Sequence, residues 1–126
     1  MRALVIDDSR AMRRIVSSTL ENLGFEVNQA GDGREGLDVL GAGWVPELVT
    51  VDWNMPVMDG LQFVSAVRAN PAYRAMTIMM VTSESEHTQI VRALAAGAHE
   101  YVIKPFTADA IVDKLAYLGL TPLVAA

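Results

Sequence analysis

Cysteine is absent from the 126 residues, which excludes a disulfide framework and thiolate metal sites and suits a reducing compartment. Histidine occurs only as His87 and His99, with no spacing that would pair them on a metal. No run approaches the roughly 18 consecutive apolar residues of a membrane span, and no signal-peptide pattern precedes the first expected strand. Basic residues are outnumbered, 10 Lys and Arg against 15 Asp and Glu, for a formal charge of −5 and a pI near 4.8. That balance repels phosphate backbones and argues against direct nucleic-acid binding, while metal cations and basic patches on partner proteins remain compatible with it. What is plentiful is apolar: 52% of the residues are hydrophobic, which rules out a disordered chain and supplies the core of one domain.

The apolar residues fall into short strand-like runs alternating with helical patterns. Ala3-Leu4-Val5-Ile6 is continuous and short, as a strand buried on both faces requires. Ser9 is placed to cap a helix carrying Met12, Ile15, Val16, Thr19, Leu20 and Leu23, with Gly24 as its stop. Residues 25–30 read as a second strand around Val27, and residues 33–40 as a short helix. A third strand covers Leu48 to Asp52, followed by a helix over 60–69 facing inward through Leu61, Val64 and Val67. The fourth strand centres on Ile78-Met79-Met80-Val81 and ends at Thr82 and Ser83, and a helix over 85–96 presents Ile90, Val91 and Leu94. Glu100 to Ile103 forms the fifth strand, and Thr107 caps a last helix with Ile111, Leu115 and Leu118 on one side. Five strands alternating with five helices imply an α/β fold: a parallel sheet with helices on both faces, in one domain spanning 1–126 without a linker or repeat.

In such sheets ligands bind beyond the carboxyl ends of the strands, where the strand order switches. The first strand here ends in Asp7 and Asp8, the third in Asp52, the fourth in Thr82 and Ser83, and the fifth in Lys104. Three carboxylates in one crevice repel unless a cation sits among them. Oxygen-only ligands with water suit Mg²⁺. Lys104 is surplus to a metal site, since one cation does not help to bind another. A lysine and a hydroxyl opposite Mg²⁺ make sense around a phosphoryl group, with one carboxylate as the nucleophile of aspartyl-phosphate chemistry. Met55-Pro56 turns the chain aside after Asp52, leaving the Asn54 carbonyl to coordinate the metal.

Asp7-Asp8, Asp52, Thr82 and Lys104-Pro105, in that order and spacing, resemble the receiver domain of bacterial two-component response regulators over essentially the whole chain. The stretches FEV…DG, DWNMPVMDG, MVT and YVIKPFT are similar to its single-domain chemotaxis members. The resemblance implies a flavodoxin-like sheet of order 2-1-3-4-5, with Asp52 as phosphoacceptor and Mg²⁺ held by Asp7, Asp8, Asp52 and the Asn54 carbonyl. It further implies that Lys104 pairs with the phosphoryl group before a cis Lys104-Pro105 bond, that Thr82 moves its hydroxyl toward that group, and that Tyr101 rotates inward behind it. Asn54 and Glu84 would tune hydrolysis. The docking face implied by the family includes Ile90, Leu94, Tyr101 and Lys114. The donor would be a histidine kinase and the target a protein such as a flagellar motor switch component, with a phosphatase as a further partner and the chain itself a cytoplasmic monomer. Such a chain catalyses its own phosphorylation and slow dephosphorylation rather than turning over a substrate. Glu86-His87 replaces the lysine pair of the best-known pattern and Ser83 the more usual alanine, which bears on partner identity and not on the chemistry.

Taken singly these residues have plainer roles. Asp7 or Asp8 alone would serve as a helix cap, Asp32 as a turn and cap, and Tyr101 as an edge-strand aromatic. His87 and His99 are expected to be exposed and unimportant. Gly31-Asp32-Gly33-Arg34-Glu35-Gly36 matches a dinucleotide fingerprint in form, yet Asp32 and Glu35 would set negative charge beside a pyrophosphate. A haloacid-dehalogenase-like phosphatase would share the aspartyl phosphate, but its nucleophile ends the first strand in a D-x-D pattern that the adjacent Asp7-Asp8 does not supply. Only eight residues follow Leu118, so no output domain is expected; a receiver excised from a longer transcriptional regulator is the alternative.

Overall fold

The computed structural model describes residues 1–83, 87–104 and 107–120, leaving aside the side chains of Thr82, Ser83 and His87. Its elements are β1 (Arg2–Ile6), α1 (Arg10–Asn22), β2 (Glu26–Ala30), α2 (Gly33–Gly41), β3 (Leu48–Asp52), α3 (Gly60–Arg68), a 3-10 turn (Pro71–Tyr73), β4 (Thr77–Ser83), α4 (His87–Ala96), β5 (Glu100–Lys104) and α5 (Ala108–Tyr117). The expected strands and helices all form. The 3-10 turn was not anticipated: Asn70 caps it by accepting from the Ala72 N–H, and Pro71 occupies its first position, where a missing donor costs nothing.

The strands form one parallel sheet of order β2-β1-β3-β4-β5, as the resemblance implied. Period-two alternation sends Leu4, Ile6, Val49, Val51, Ile78 and Met80 to one face, against α2, α3 and α4 through Leu40, Phe63, Val64, Val67 and Ala93. Ala3, Val5, Leu48 and Met79 face the other way, against Val16 and Leu20 of α1 and Ile111 and Leu115 of α5. Each fully buried aliphatic or aromatic side chain contributes roughly 1.5–3 kcal/mol by leaving water.

Helical periodicity misjudged a few faces. Phe63 is the largest fully buried side chain of α3, whereas Leu61 is only half-buried. Ile15 and Val91 are exposed, because α1 and α4 each cover the sheet with a narrower stripe than their apolar residues would allow. Among the described residues, no helix is long and apolar enough to cross a membrane.

The chain leaves β1 for β2 on one side and reaches β3 on the other, so a crevice opens between the carboxyl ends of β1 and β3. Asp7 and Asp52 stand at its two walls.

Candidate functional site

Asp7 follows the last residue of β1 and is held at three points. Its N–H donates to the Ala30 carbonyl (3.2 Å), its carbonyl accepts from Arg13 Nη1 (2.6 Å) and its carboxylate accepts from the Ser9 N–H (2.8 Å). Ser9, not an aspartate, caps α1, accepting from the Met12 N–H at 3.2 Å. The carboxylates are therefore not needed for capping: Asp7 is buried and Asp8 exposed beside it.

Asp52 ends the fully buried strand β3. The chain returns at once: the Gly60 N–H donates to the Trp53 carbonyl (2.9 Å), and a Cβ at Gly60 would lie 2.5 Å from the Asp52 carbonyl oxygen. Glycine is required there by that close approach. Asp59 and Gln62 close a reciprocal capping box on α3, which fixes the far end of the return. Between them Val57 sits at φ 69°, a left-handed conformation that a β-branched residue adopts only under constraint.

At the crevice one oxygen from each of Asp7, Asp8 and Asp52 lies within 4.8 Å of the others. Lys104 Nζ, at the end of β5, is 3.5 Å from Asp7 Oδ2 and 3.4 Å from Asp52 Oδ1. One ammonium against three carboxylates leaves the cluster negative. Burial pushes the Asp52 carboxyl up to about 6, with repulsion from Asp7 adding to the rise, Lys104 opposing it, and Asp8 adding the smallest increment. A hard divalent cation fits this donor set: the ligands are all oxygen, and a positive charge would relieve the repulsion that Lys104 only partly offsets.

The remaining expected site residues are distributed unevenly. In backbone register Asp52 lies opposite Val81, one residue before Thr82, and Ser83 lies opposite Lys104, so β4 ends at the crevice. The Thr82 and Ser83 side chains, Glu84, Glu86 and the Lys104-Pro105 bond lie outside the described residues. Asn54 is exposed two residues beyond Asp52. Tyr101 is half-buried against the α2–α4 face, with Lys104 three residues further along β5. Of the expected docking residues Ile90 is buried and Leu94 exposed.

His99 is exposed, as expected, but its ring is engaged rather than idle. Its ring Nδ1 accepts from the Ile78 N–H (3.1 Å) and lies 3.2 Å from Arg68 Nη2, and burial followed by Arg68 repulsion lowers its pKa. Arg68 and Arg13 carry no sequence signal, since arginines on helices that donate to distant carbonyls leave no local spacing to read. The dinucleotide-like loop is closed by its own acids: Asp32 accepts from the Glu35 N–H (2.8 Å) and Glu35 from the Gly31 N–H (2.6 Å). Those amides are committed to α2, and Gly36 is small because Ile6 Cδ1 would meet a Cβ there at 2.5 Å.

A parallel α/β domain with an anionic, cation-ready crevice at its switch point and a lysine reaching into it defines a class of doubly wound α/β domains with an acidic site. The chain belongs to the response regulator receiver domain family, whose model matches residues 3–116. It is 41% identical over 116 residues to the chemotaxis protein CheY1 of Helicobacter pylori, covering 91% of this chain and 94% of that protein. It is 43% identical over 116 residues to a CheY homolog of Campylobacter jejuni, covering 91% and 89%. Among solved structures, the chemotaxis response regulator CheY4 of Vibrio cholerae superposes with a TM-score of 0.85 at 36% identity, covering 93% of this chain and 97% of that one. A probable two-component response regulator/GGDEF domain protein superposes with a TM-score of 0.86 at 26% identity, but the match covers only 48% of it. The same fold thus occurs alone and joined to other sequence.

Proposed function

We propose that this chain is a single receiver domain that takes a phosphoryl group from a histidine kinase onto Asp52, with Mg²⁺ held by Asp7, Asp8, Asp52 and the Asn54 carbonyl. The observation that carries the reading is Asp52 itself: a buried carboxylate at a rigid strand end, 3.4 Å from Lys104 and raised by burial and by Asp7. A side chain that costs stability where it stands is a functional candidate. When bound, the metal supplies positive charge against the phosphoryl oxygens.

The chain's own residues do the rest. An Asp52 carboxylate oxygen attacks phosphorus; the new P–O bond forms as the P–N bond to the donor histidine breaks, and the imidazole leaves with the electron pair. A nucleophile with a pKa of about 6 is mostly ionised at pH 7. Asp7, tied down through Ser9 and Arg13, keeps its carboxylate toward the crevice instead of following Asp52. Lys104 exchanges its carboxylate contacts for a phosphoryl oxygen, and Thr82 supplies a hydroxyl from the adjacent strand. Asn54 and Glu84 set the approach of water and hence the lifetime of the phosphoryl group.

The output is a shift between two packings of the α4–β5–α5 side, with Tyr101 moving between them and Leu94 and Lys114 meeting the partner. Similarity to chemotaxis proteins favours a flagellar motor component as target, and the assignment carries with it a cytoplasmic location and a monomeric state.

Trp53, buried beside Asp52, reports on the site. In a Trp44→Phe background, Mg²⁺ should quench its fluorescence saturably, and acetyl phosphate should change it further. Asp52→Asn should abolish the second change, and Lys104→Ala should retain phosphorylation while losing phosphorylation-dependent partner binding. Stable phosphorylation of Asp52→Asn would overturn the assignment of the acceptor.

A further inference from the structure

Glu100 and Lys114 belong to different elements and are not part of the acidic crevice. Glu100 opens β5, the edge strand of the sheet, and Lys114 lies in the last turn of α5. Neighbouring strand residues point to opposite faces, so Glu100 and the adjacent Tyr101 leave β5 in different directions. Lys114 reaches both. Its Nζ lies 3.2 Å from Glu100 Oε1 and 5.0 Å from the centre of the Tyr101 ring. A four-carbon stem passing around an unpaired sheet edge makes this geometry accessible.

The Glu100 carboxylate is itself anchored. The same Oε1 that faces Lys114 accepts the Tyr101 main-chain N–H at 3.0 Å, and only 15% of the Glu100 side chain is exposed. An acid tied to the strand's own backbone is a rigid post, unlike a surface glutamate free to follow its partner. The ammonium it holds therefore has a fixed place over the ring, where the ring's quadrupole attracts it. On its other side the ring packs against the α2–α4 core cluster.

We infer that Glu100 is a positioning residue: acting through Lys114, it fixes the resting place of the Tyr101 ring and so sets how readily that ring moves. The inference rests on the proposed role of Tyr101 in signalling and adds what biases it in this chain. Any movement of the ring away from its place breaks the contact with Lys114. A partner approaching this side meets an ammonium already engaged by an acid. Loss of the Glu100 charge should raise the ratio of displaced to resting ring positions roughly three- to tenfold, the range for one partly exposed cation–ring contact with its ion pair.

The test uses the full chain in a Trp44→Phe background, labelled with 3-fluorotyrosine, whose three resonances belong to Tyr73, Tyr101 and Tyr117; Tyr101→Phe assigns the one of interest. Wild type with Mg²⁺ alone and with Mg²⁺ plus acetyl phosphate gives two reference positions, while Trp53 fluorescence records phosphorylation separately. Glu100→Gln keeps an acceptor for the Tyr101 N–H but removes the charge. In Mg²⁺ alone it should move the Tyr101 resonance toward the phosphorylated position, with Tyr73 and Tyr117 unmoved as a check on folding. Lys114→Gln should do the same, and the double variant should add nothing. A Tyr101 resonance unmoved in both single variants overturns the positioning role, and additive effects overturn action through Lys114. A wild-type Tyr101 resonance that ignores phosphorylation seen at Trp53 overturns the link between ring and signal, whereas silence at Trp53 overturns the phosphoacceptor reading instead.

Discussion

Two polar clusters occupy opposite ends of the same strands. At the amino-terminal end of β4 and β5, Arg68 donates to the carbonyls of Gly97 (3.0 Å), Tyr73 (3.3 Å), Arg74 (3.2 Å) and Met76 (2.8 Å), and rests against the unprotonated Nδ1 of His99. Each guanidinium N–H finds an acceptor, and the acceptors come from the α3–β4 connection and the α4–β5 turn. At the carboxyl-terminal end, three carboxylates cluster around one lysine that pairs with two of them, Asp7 and Asp52, and remain in deficit of positive charge. The first cluster is saturated and closes three segments onto one another. The second is unsaturated, and burial sharpens its imbalance by weakening the solvent that would otherwise screen it. A polar group whose demands are met by its own chain is architecture, while one left wanting a charge is where a ligand belongs.

That contrast can be broken from either side. The largest effect should come from the saturated end: Arg68→Met strands several carbonyls and should cost about 2–4 kcal/mol in urea unfolding. The Mg²⁺ response of Trp53 should be unchanged, and a weakened Mg²⁺ response would show that the two ends are coupled. At the unsaturated end, removal of a charge should have the opposite sign. Because the folded pKa of Asp52 is raised from 3.8 to about 6, the native state binds its proton more tightly than the unfolded chain. That contribution is fully present below pH 4 and is lost as pH rises through 6. In EDTA, Asp52→Asn should therefore match wild type near pH 4 and exceed it at pH 7 by about 1–2 kcal/mol, the full linkage value being reduced by solvent at the crevice mouth. Equal stability of the two at pH 7 would remove the charge-deficit argument.

Smaller effects are expected at Val57 and His99. Val57 is 81% exposed at φ 69°, so its side chain gives up no core contact while its backbone is strained. Val57→Asn should stabilise the fold by about 1 kcal/mol, measured by thermal unfolding. A destabilised variant would mean that the valine side chain supports the β3–α3 return. His99 gives the subtlest signal. Its folded pKa lies below the ordinary 6.5, so the unfolded chain takes up the proton first and stability is lost as pH falls below 6.5. Wild type should lose stability relative to His99→Asn, whose amide oxygen does not titrate, between pH 7 and pH 5. Parallel pH profiles would exclude the imidazole from the saturated cluster's energetics.

How legible each cluster was follows from its chemistry. Asp7, Asp8, Asp52 and Lys104 were readable because each stands at or just past the end of a strand, and apolar runs locate strand ends without coordinates. Arg68, His99 and Arg13 were not, since their partners are main-chain carbonyls and amides, which every residue carries. Glu100 and Lys114 meet around a sheet edge, and nothing in a spacing of 14 residues says that they will. Phe63 is not marked by spacing, because Leu61, Val64 and Val67 of α3 already satisfy the helical period, and which stripe faces the sheet is decided by the neighbouring elements.

The sequence by itself determined the alternation of strands and helices, the parallel sheet and the acids at its strand ends, because burial and periodicity are local properties of composition. Tertiary structure alone decided which of those acids is buried, which is raised in pKa and which cation stands between them, because desolvation and Coulomb energies depend on distances that only the folded chain sets. It also decided that one lysine of α5 would be held by a strand-bound glutamate over a tyrosine ring. That arrangement needs the edge position of β5 as well as its residues.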